Sequence, residues 1–220
     1  MKTQFFDRTE AGQIVAENLS NYASRDDVIV LALPRGGVPV AAEVAKRLNA
    51  PLDVFVVRKL GLPGHPELAM GAIASGGVRV FNGEVLNALR IADEVIDAVS
   101  AQELIEVQRR ERAYRAGLPP IDVEGKTVIV VDDGVATGST MLAAVSALRQ
   151  LNAAHIVVAA PVIAASTFSE IQRAADDVAA VMVPERFHAV GQWYEDFSQT
   201  SDEEVRDLLA QAARRQPVEA

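Results

Sequence analysis

The chain has 220 residues, 50% hydrophobic and 23% charged, enough to bury one core of ordinary size. Its 21 Lys and Arg against 30 Asp and Glu leave a charge of −9, which repels phosphate backbones and argues against nonspecific nucleic-acid binding. Having no cysteine, it has no disulfide framework, thiolate metal site or cysteine nucleophile, which fits a cytoplasmic location.

The opening MKTQFFDRTE carries Asp7 and Glu10 where a signal peptide needs an apolar core. Asp7 and Glu10 instead have the spacing of a capping box, as do Ser100 with Glu103, Thr167 with Glu170 and Ser201 with Glu204, so a helix start is expected at each. Apolar runs follow at Val28 to Leu33, Leu52 to Val57, Thr127 to Asp132, His155 to Ala160 and Val178 to Val183. Runs without alternation mark strands covered on both faces. Amphipathic stretches at Val38–Asn49, Ser139–Asn152 and Thr167–Ala175 separate them. The alternation predicts an α/β fold, a mainly parallel five-stranded sheet with helices on both faces. The longest apolar run, Ile156 to Ala165, is broken by Pro161 and falls well short of the ~18–20 residues of a membrane span.

Two regions interrupt the rhythm. Residues 58–126 hold a Gly/Pro-rich loop (Gly61 to Gly64), an antiparallel piece from Met70 to Phe81 and helical material from Glu84 to Ala116. Residues 184–200 are rich in aromatics and precede a last helix, Asp202 to Arg214, with the final six residues expected to fray. Residues 1–200 read as one domain and 201–220 as a C-terminal helix and tail. Connections this long inside a compact domain usually serve function.

The chemistry concentrates in VIVVDDGVATGST, Val128 to Thr140. A strand ends in Asp132 and Asp133, and a helix begins near Ser139, so the amides of Thr137, Gly138, Ser139 and Thr140 form a phosphate cradle. Gly138 admits the anion without a Cβ in the way. Two acids beside a phosphate site make sense if they hold sugar hydroxyls, or Mg²⁺ directly or through water. A Walker A loop would need Lys after its glycine, whereas Ser139 follows Gly138. The dinucleotide pattern G-x-G-x-x-G is absent, as is a receiver-type acidic pocket with its later Lys.

VVDDGVATGST resembles the ribose-phosphate loop of the type I phosphoribosyltransferases. That resemblance implies that Asp132 and Asp133 hold the ribose hydroxyls of phosphoribosyl pyrophosphate and that Ala136 to Thr140 cradle its 5′-phosphate. LPRGGVPVA, Leu33 to Ala41, is similar to the family's pyrophosphate loop, with Arg35 facing the diphosphate and Gly36 and Gly37 allowing close main-chain approach. VVRKLGLPG, Val56 to Gly64, looks like the basic pair that precedes a mobile lid, which makes Arg58 and Lys59 candidate catalytic residues. Residues 58–126 would then supply the lid and 184–200 a hood. Where 6-oxopurine enzymes carry an Asp this sequence has Ala136, as the adenine and orotate types do.

RFHAVGQWYEDF, Arg186 to Phe197, holds four of the eleven aromatics and the single Trp. It resembles the hood that covers the base, with Phe187 and Trp193 as stacking candidates and Asp196 near the diphosphate or Mg²⁺. Packing, including a homodimer contact, is the alternative for these rings. His65, His155 and His188 lack metal-ligand spacing, the run Arg109 to Arg115 reads as a solvated helix face, and Glu67 in the lid reads as structural, with approach to the acceptor as its alternative. The resemblance implies Mg²⁺-dependent transfer of phosphoribosyl to a nitrogen of a small planar base. A non-catalytic sensor of phosphoribosyl pyrophosphate or a nucleotide, and a hydrolase of either, are the competing readings.

Overall fold

A computed structural model of the chain describes residues 4–215. In chain order the elements are α1 (Arg8–Glu17), β1 (Val28–Ala32), α2 (Gly37–Leu48), β2 (Leu52–Val54), β3 (Val57–Leu62), β4 (His65–Ala74), β5 (Arg79–Phe81), α3 (Gly83–Leu89), α4 (Asp93–Arg115), β6 (Thr127–Val131), α5 (Ser139–Gln150), β7 (His155–Val162), α6 (Ala165–Ala174), β8 (Asp177–Met182) and α7 (Asp202–Arg215). Five strands form one sheet in the order β2-β1-β6-β7-β8, with every pair parallel.

The five apolar runs supply that sheet because both of its faces are covered. Val28, Val30, Ile129 and Val131 pack with Val15 of α1, Val44 of α2 and Val205 of α7. Ile29, Leu31, Val128 and Val130 point the other way, onto Met141 and Leu148 of α5 and Ile171 of α6. Each such fully buried side chain contributes about 1.5–3 kcal/mol by leaving water.

The strand order reverses direction beside β1: the chain leaves β1 towards β2 on one side and pairs with β6 on the other. Open α/β sheets bind ligands in the crevice at that point, outside the carboxyl ends of the strands. The loops after β1 and β6 therefore emerge next to each other, with Ala32 opposite Val131.

Within 58–126, β3, β4 and β5 form a separate antiparallel sheet. Leu60, Met70 and Ile73 of this sheet pack against Ile96 and Val107 of α4. The Gly61–Gly64 stretch is the end of β3 and a hairpin turn rather than an open loop, with register shifts at Leu60/Gly61 and Gly61/Leu62. The run Leu52 to Val57 is not one strand. Its parallel part ends at Val54, and the chain then turns because Val56 and Ser75 bond each other, Val56 N to Ser75 Oγ at 2.9 Å and Ser75 N to Val56 O at 2.9 Å.

Two of the four expected helix starts are corrected. Ser100 with Glu103 lies inside α4, which begins at Asp93, and Ser100 is buried. Helix α6 begins at Ala165, and the Thr167 hydroxyl bonds outside its own helix. Asp7 and Ser201 do cap: each accepts from the backbone N of the glutamate three residues on, at 2.8 and 3.0 Å. The solvated-face reading of Arg109 to Arg115 fails at its end, where Tyr114 is buried and Arg115 forms a buried ion pair with Asp53 at 2.9 Å. Residue 215 closes α7, and the rest of the expected frayed tail lies outside the described residues.

Candidate active site at the sheet's switch point

The loops after β1 and β6 interlock. Gly36 caps α2, and a Cβ there would run into the Asp133 carboxylate, 2.7 Å from its Cγ. A Cβ on Gly37 would lie 2.7 Å from the Val131 carbonyl oxygen and 3.0 Å from the Asp132 Cα. Both glycines are therefore required by the neighbouring loop itself, whatever ligand approaches them.

Asp132 and Asp133 each spend one oxygen on the protein. The Asp133 backbone N–H donates to Asp132 Oδ1 at 2.9 Å, and Arg8 Nε donates to Asp133 Oδ2 at 2.8 Å. The two carboxyls also interact with each other through their side chains. Burial, and then the charge on Asp133, push the Asp132 carboxyl well above the usual carboxylate range. Burial also raises Asp133, with the Arg8 guanidinium opposing that shift.

The cradle follows directly. Val135 N donates to Val162 O and Ala164 N to Val135 O, both at 2.9 Å, which stitches the loop to the end of β7. Thr167 Oγ1 donates to the Ala136 carbonyl at 2.6 Å. Gly138, at φ 73°, turns the chain into α5, and its missing Cβ leaves room for the Thr167 methyl. Thr137, Ser139 and Thr140 are exposed, so the first amides of α5, which have no intrahelical acceptors, open to solvent. Thr167→Val removes the tie to Ala136 and should lower stability by about 1 kcal/mol. It should also weaken inorganic phosphate binding, which calorimetry and thermal melting would read together.

The basic residues divide. Arg35, half-exposed, reaches Asp202 at the start of α7, with 3.4 Å between Nη1 and Oδ1. Arg58 and Lys59 sit inside β3 and so face opposite sides of the antiparallel sheet. Arg58 turns to α4 and pairs with Glu103 at 2.7 Å. Lys59 lines a cleft of about 840 Å³ that also takes in Glu67, Ser139 and Thr140. Of the two, Lys59 is the one on the cradle's side.

The aromatic segment lies over the acid loop. Val190 fills the space in front of Gly134, where a Cβ would be 2.5 Å from Val190 Cγ1. The Tyr194 hydroxyl donates to the Asp133 carbonyl at 2.5 Å. The segment is anchored to the N-terminal stretch: Phe5 N donates to Trp193 O, Glu195 N to Phe5 O and Asp196 N to Phe6 O, each at 2.8 Å. The Phe187 and Trp193 rings are 6.1 Å apart and half-buried, and the buried Trp193 indole N–H has no hydrogen-bond partner among the described residues. The exposed Asp196 carboxylate accepts from Ser198 N at 2.9 Å, and that bond lowers its pKa.

The structure thus gathers Gly36, Gly37, Asp132, Asp133 and residues 136–140, with Lys59 and Glu67 entering from the antiparallel sheet. It adds Arg8 and Tyr194, which sequence reasoning missed. Asp7 announced a helix start, but nothing local ties position 8 to position 133.

A family model described as the phosphoribosyl transferase domain matches residues 3–196. Over 210 residues the chain is 46% identical to Rv0571c of Mycobacterium tuberculosis H37Rv, provisionally named a phosphoribosyl transferase. The match covers 96% of this chain and 47% of that protein, so the chain spans about half the length of the curated relatives it matches. The crystal structure of TT1426 from Thermus thermophilus superposes with a TM-score of 0.83 at 41% identity, covering 94% of this chain and 98% of that one. A 61-residue stretch is 43% identical to the ribose-phosphate pyrophosphokinase of Pyrococcus furiosus, covering 27% of this chain and 22% of that enzyme.

Proposed function

This chain belongs to the phosphoribosyl transferase domain family, and from that premise we propose that it moves the 5-phosphoribosyl group of phosphoribosyl pyrophosphate onto a nitrogen of a planar base, releasing pyrophosphate. One observation carries the proposal: two adjacent acids, held by Asp133 N and by Arg8, stand beside the open start of α5. Vicinal ribose hydroxyls donate to such a pair while the 5′-phosphate meets the amides and hydroxyls of residues 137–140.

In the reaction the acceptor nitrogen bonds to the anomeric carbon as the bond from that carbon to the diphosphate oxygen breaks. The diphosphate leaves with the electron pair, and the acceptor's proton passes to water. Positive charge grows on the ribose and negative charge on the diphosphate. Asp132 and Asp133 face the first; Lys59, Arg35 and the main-chain donors after β1 face the second. Arg58 joins them only on leaving Glu103. Holding donor and acceptor in register supplies much of the rest.

Mg²⁺ fits this site as a shared ligand. Among the described residues no group of three or more acidic or His side chains is arranged to hold a metal alone. Mg²⁺ is commonly held by one or two carboxylates together with substrate phosphates, which is what Asp132, Asp133 and a diphosphate would offer. When bound it would neutralise charge on the leaving diphosphate.

Ala136, in place of an acid, favours an acceptor of the adenine or orotate kind over a 6-oxopurine. Phe187 and Trp193 are the proposed stacking surface. Base–aromatic stacking contributes about 1–3 kcal/mol, so Phe187→Ala should raise the acceptor KM roughly ten- to hundredfold with donor affinity unchanged. The function itself is tested by pyrophosphate release from phosphoribosyl pyrophosphate and Mg²⁺ across a panel of purines, pyrimidines and related heterocycles. Release that depends on one base supports transfer; release without any base indicates hydrolysis, and binding without release indicates a sensor.

A further inference from the structure

We propose that Arg8 is the positioning residue that couples the aromatic segment to the acid pair, so that Asp133 serves the sugar only while Arg8 holds it. The inference rests on the sugar-phosphate reading of the site and adds a part to it. Arg8 opens α1, 125 residues before Asp133, yet its side chain is only 11% exposed and that of Asp133 13%. Its guanidinium is committed in three directions. Nε donates to Asp133 Oδ2 at 2.8 Å, Nη1 donates to the Ser198 carbonyl at 2.7 Å, and the group lies over the Phe197 ring, 3.9 Å from its centroid.

A planar fork can serve two acceptors and a ring at once, which the point charge of lysine cannot. Fixing Oδ2 turns Asp133 Oδ1 away from Arg8. Without Arg8 a buried carboxylate would sit uncompensated beside Asp132, and Asp133 would lose its fixed orientation. The phosphate cradle is built from different contacts, Val135 with Val162 and Thr167 with Ala136, and does not involve Arg8. Sugar recognition and phosphate recognition should therefore separate when Arg8 is changed.

Calorimetry with ribose 5-phosphate and with inorganic phosphate tests this on the full chain. Arg8→Gln should lower ribose 5-phosphate affinity roughly ten- to hundredfold, the range of a lost hydrogen bond to a charged group, with phosphate affinity within about twofold of wild type. Arg8→Lys should fail to restore it. Phe197→Leu, which removes the platform, should weaken ribose 5-phosphate binding, and adding it to Arg8→Gln should cost little more because both act through one contact. An Arg8→Gln protein that keeps the wild-type preference for the sugar phosphate overturns the proposal. So does one that loses both ligands equally, or full additivity with Phe197→Leu. Wild-type protein that binds ribose 5-phosphate no better than phosphate would instead overturn the sugar-site reading beneath it.

Discussion

Asparagine at Asp132 should slow phosphoribosyl transfer by a factor on the order of 10²–10³ and at the same time raise the melting temperature. The two effects have one origin. Burial and the neighbouring Asp133 charge push the Asp132 carboxyl upward, so keeping it ionised at neutral pH costs folding stability. The sign follows from the direction: stability present while the group is protonated is lost as pH rises through its native pKa. Asparagine is the same shape, still accepts from Asp133 N through Oδ1, and carries no charge to repel Asp133. What it loses is the carboxyl's capacity to carry negative charge toward the ribose as positive charge grows there. Melting without donor at neutral pH, together with steady-state pyrophosphate release, checks both halves. Wild-type turnover in this variant would remove Asp132 from the chemistry. A lower melting temperature would show that the carboxylate is needed for the loop rather than for the substrate.

The parts of this site that could be read in the sequence are those made by neighbours along the chain. VIVVDDGVATGST is strand, acids, turn and helix start in thirteen consecutive residues, and the fold presents it in that form. The five sheet strands were legible for a similar reason, since a strand covered on both faces needs only an uninterrupted apolar run. The end of β2 was not, because Val54 to Val57 is apolar throughout and the turn comes from Ser75, nineteen residues beyond Val56. The basic pair at 58 and 59 looked like one unit at a strand end. Placing it inside β3 sends the two side chains to opposite faces, and only the three-dimensional position of Glu103 shows where Arg58 goes. Arg8 and Tyr194 reach Asp133 across 125 and 61 residues, and no local pattern encodes either contact. Gly36 and Gly37 were read as allowing close main-chain approach to the diphosphate, whereas the nearest obstacle to a side chain at either is the acid loop itself.

That obstacle makes Gly36→Ala the second large effect. Gly36 has φ −59° and ψ −33°, a helical conformation that alanine adopts readily, so the backbone raises no objection. The entire penalty is steric, from a methyl group pressed against the Asp133 carboxylate. Asp133 has little freedom to yield, since Arg8 holds its Oδ2 and Tyr194 its carbonyl. Overpacking of this kind costs about 1–3 kcal/mol, and displacing Asp133 should slow transfer by about a hundredfold. Asp133→Ala alone leaves Arg8 buried without its partner and should also destabilise the protein. Combined, the two changes remove the clash, so the double variant should be less destabilised than the sum of the singles while remaining inactive. Thermal melting of the four proteins in the cycle decides the matter. Simple additivity would place the cost of Gly36→Ala elsewhere, against the diphosphate loop's own backbone, and would leave the interlock of the two loops without an energetic role.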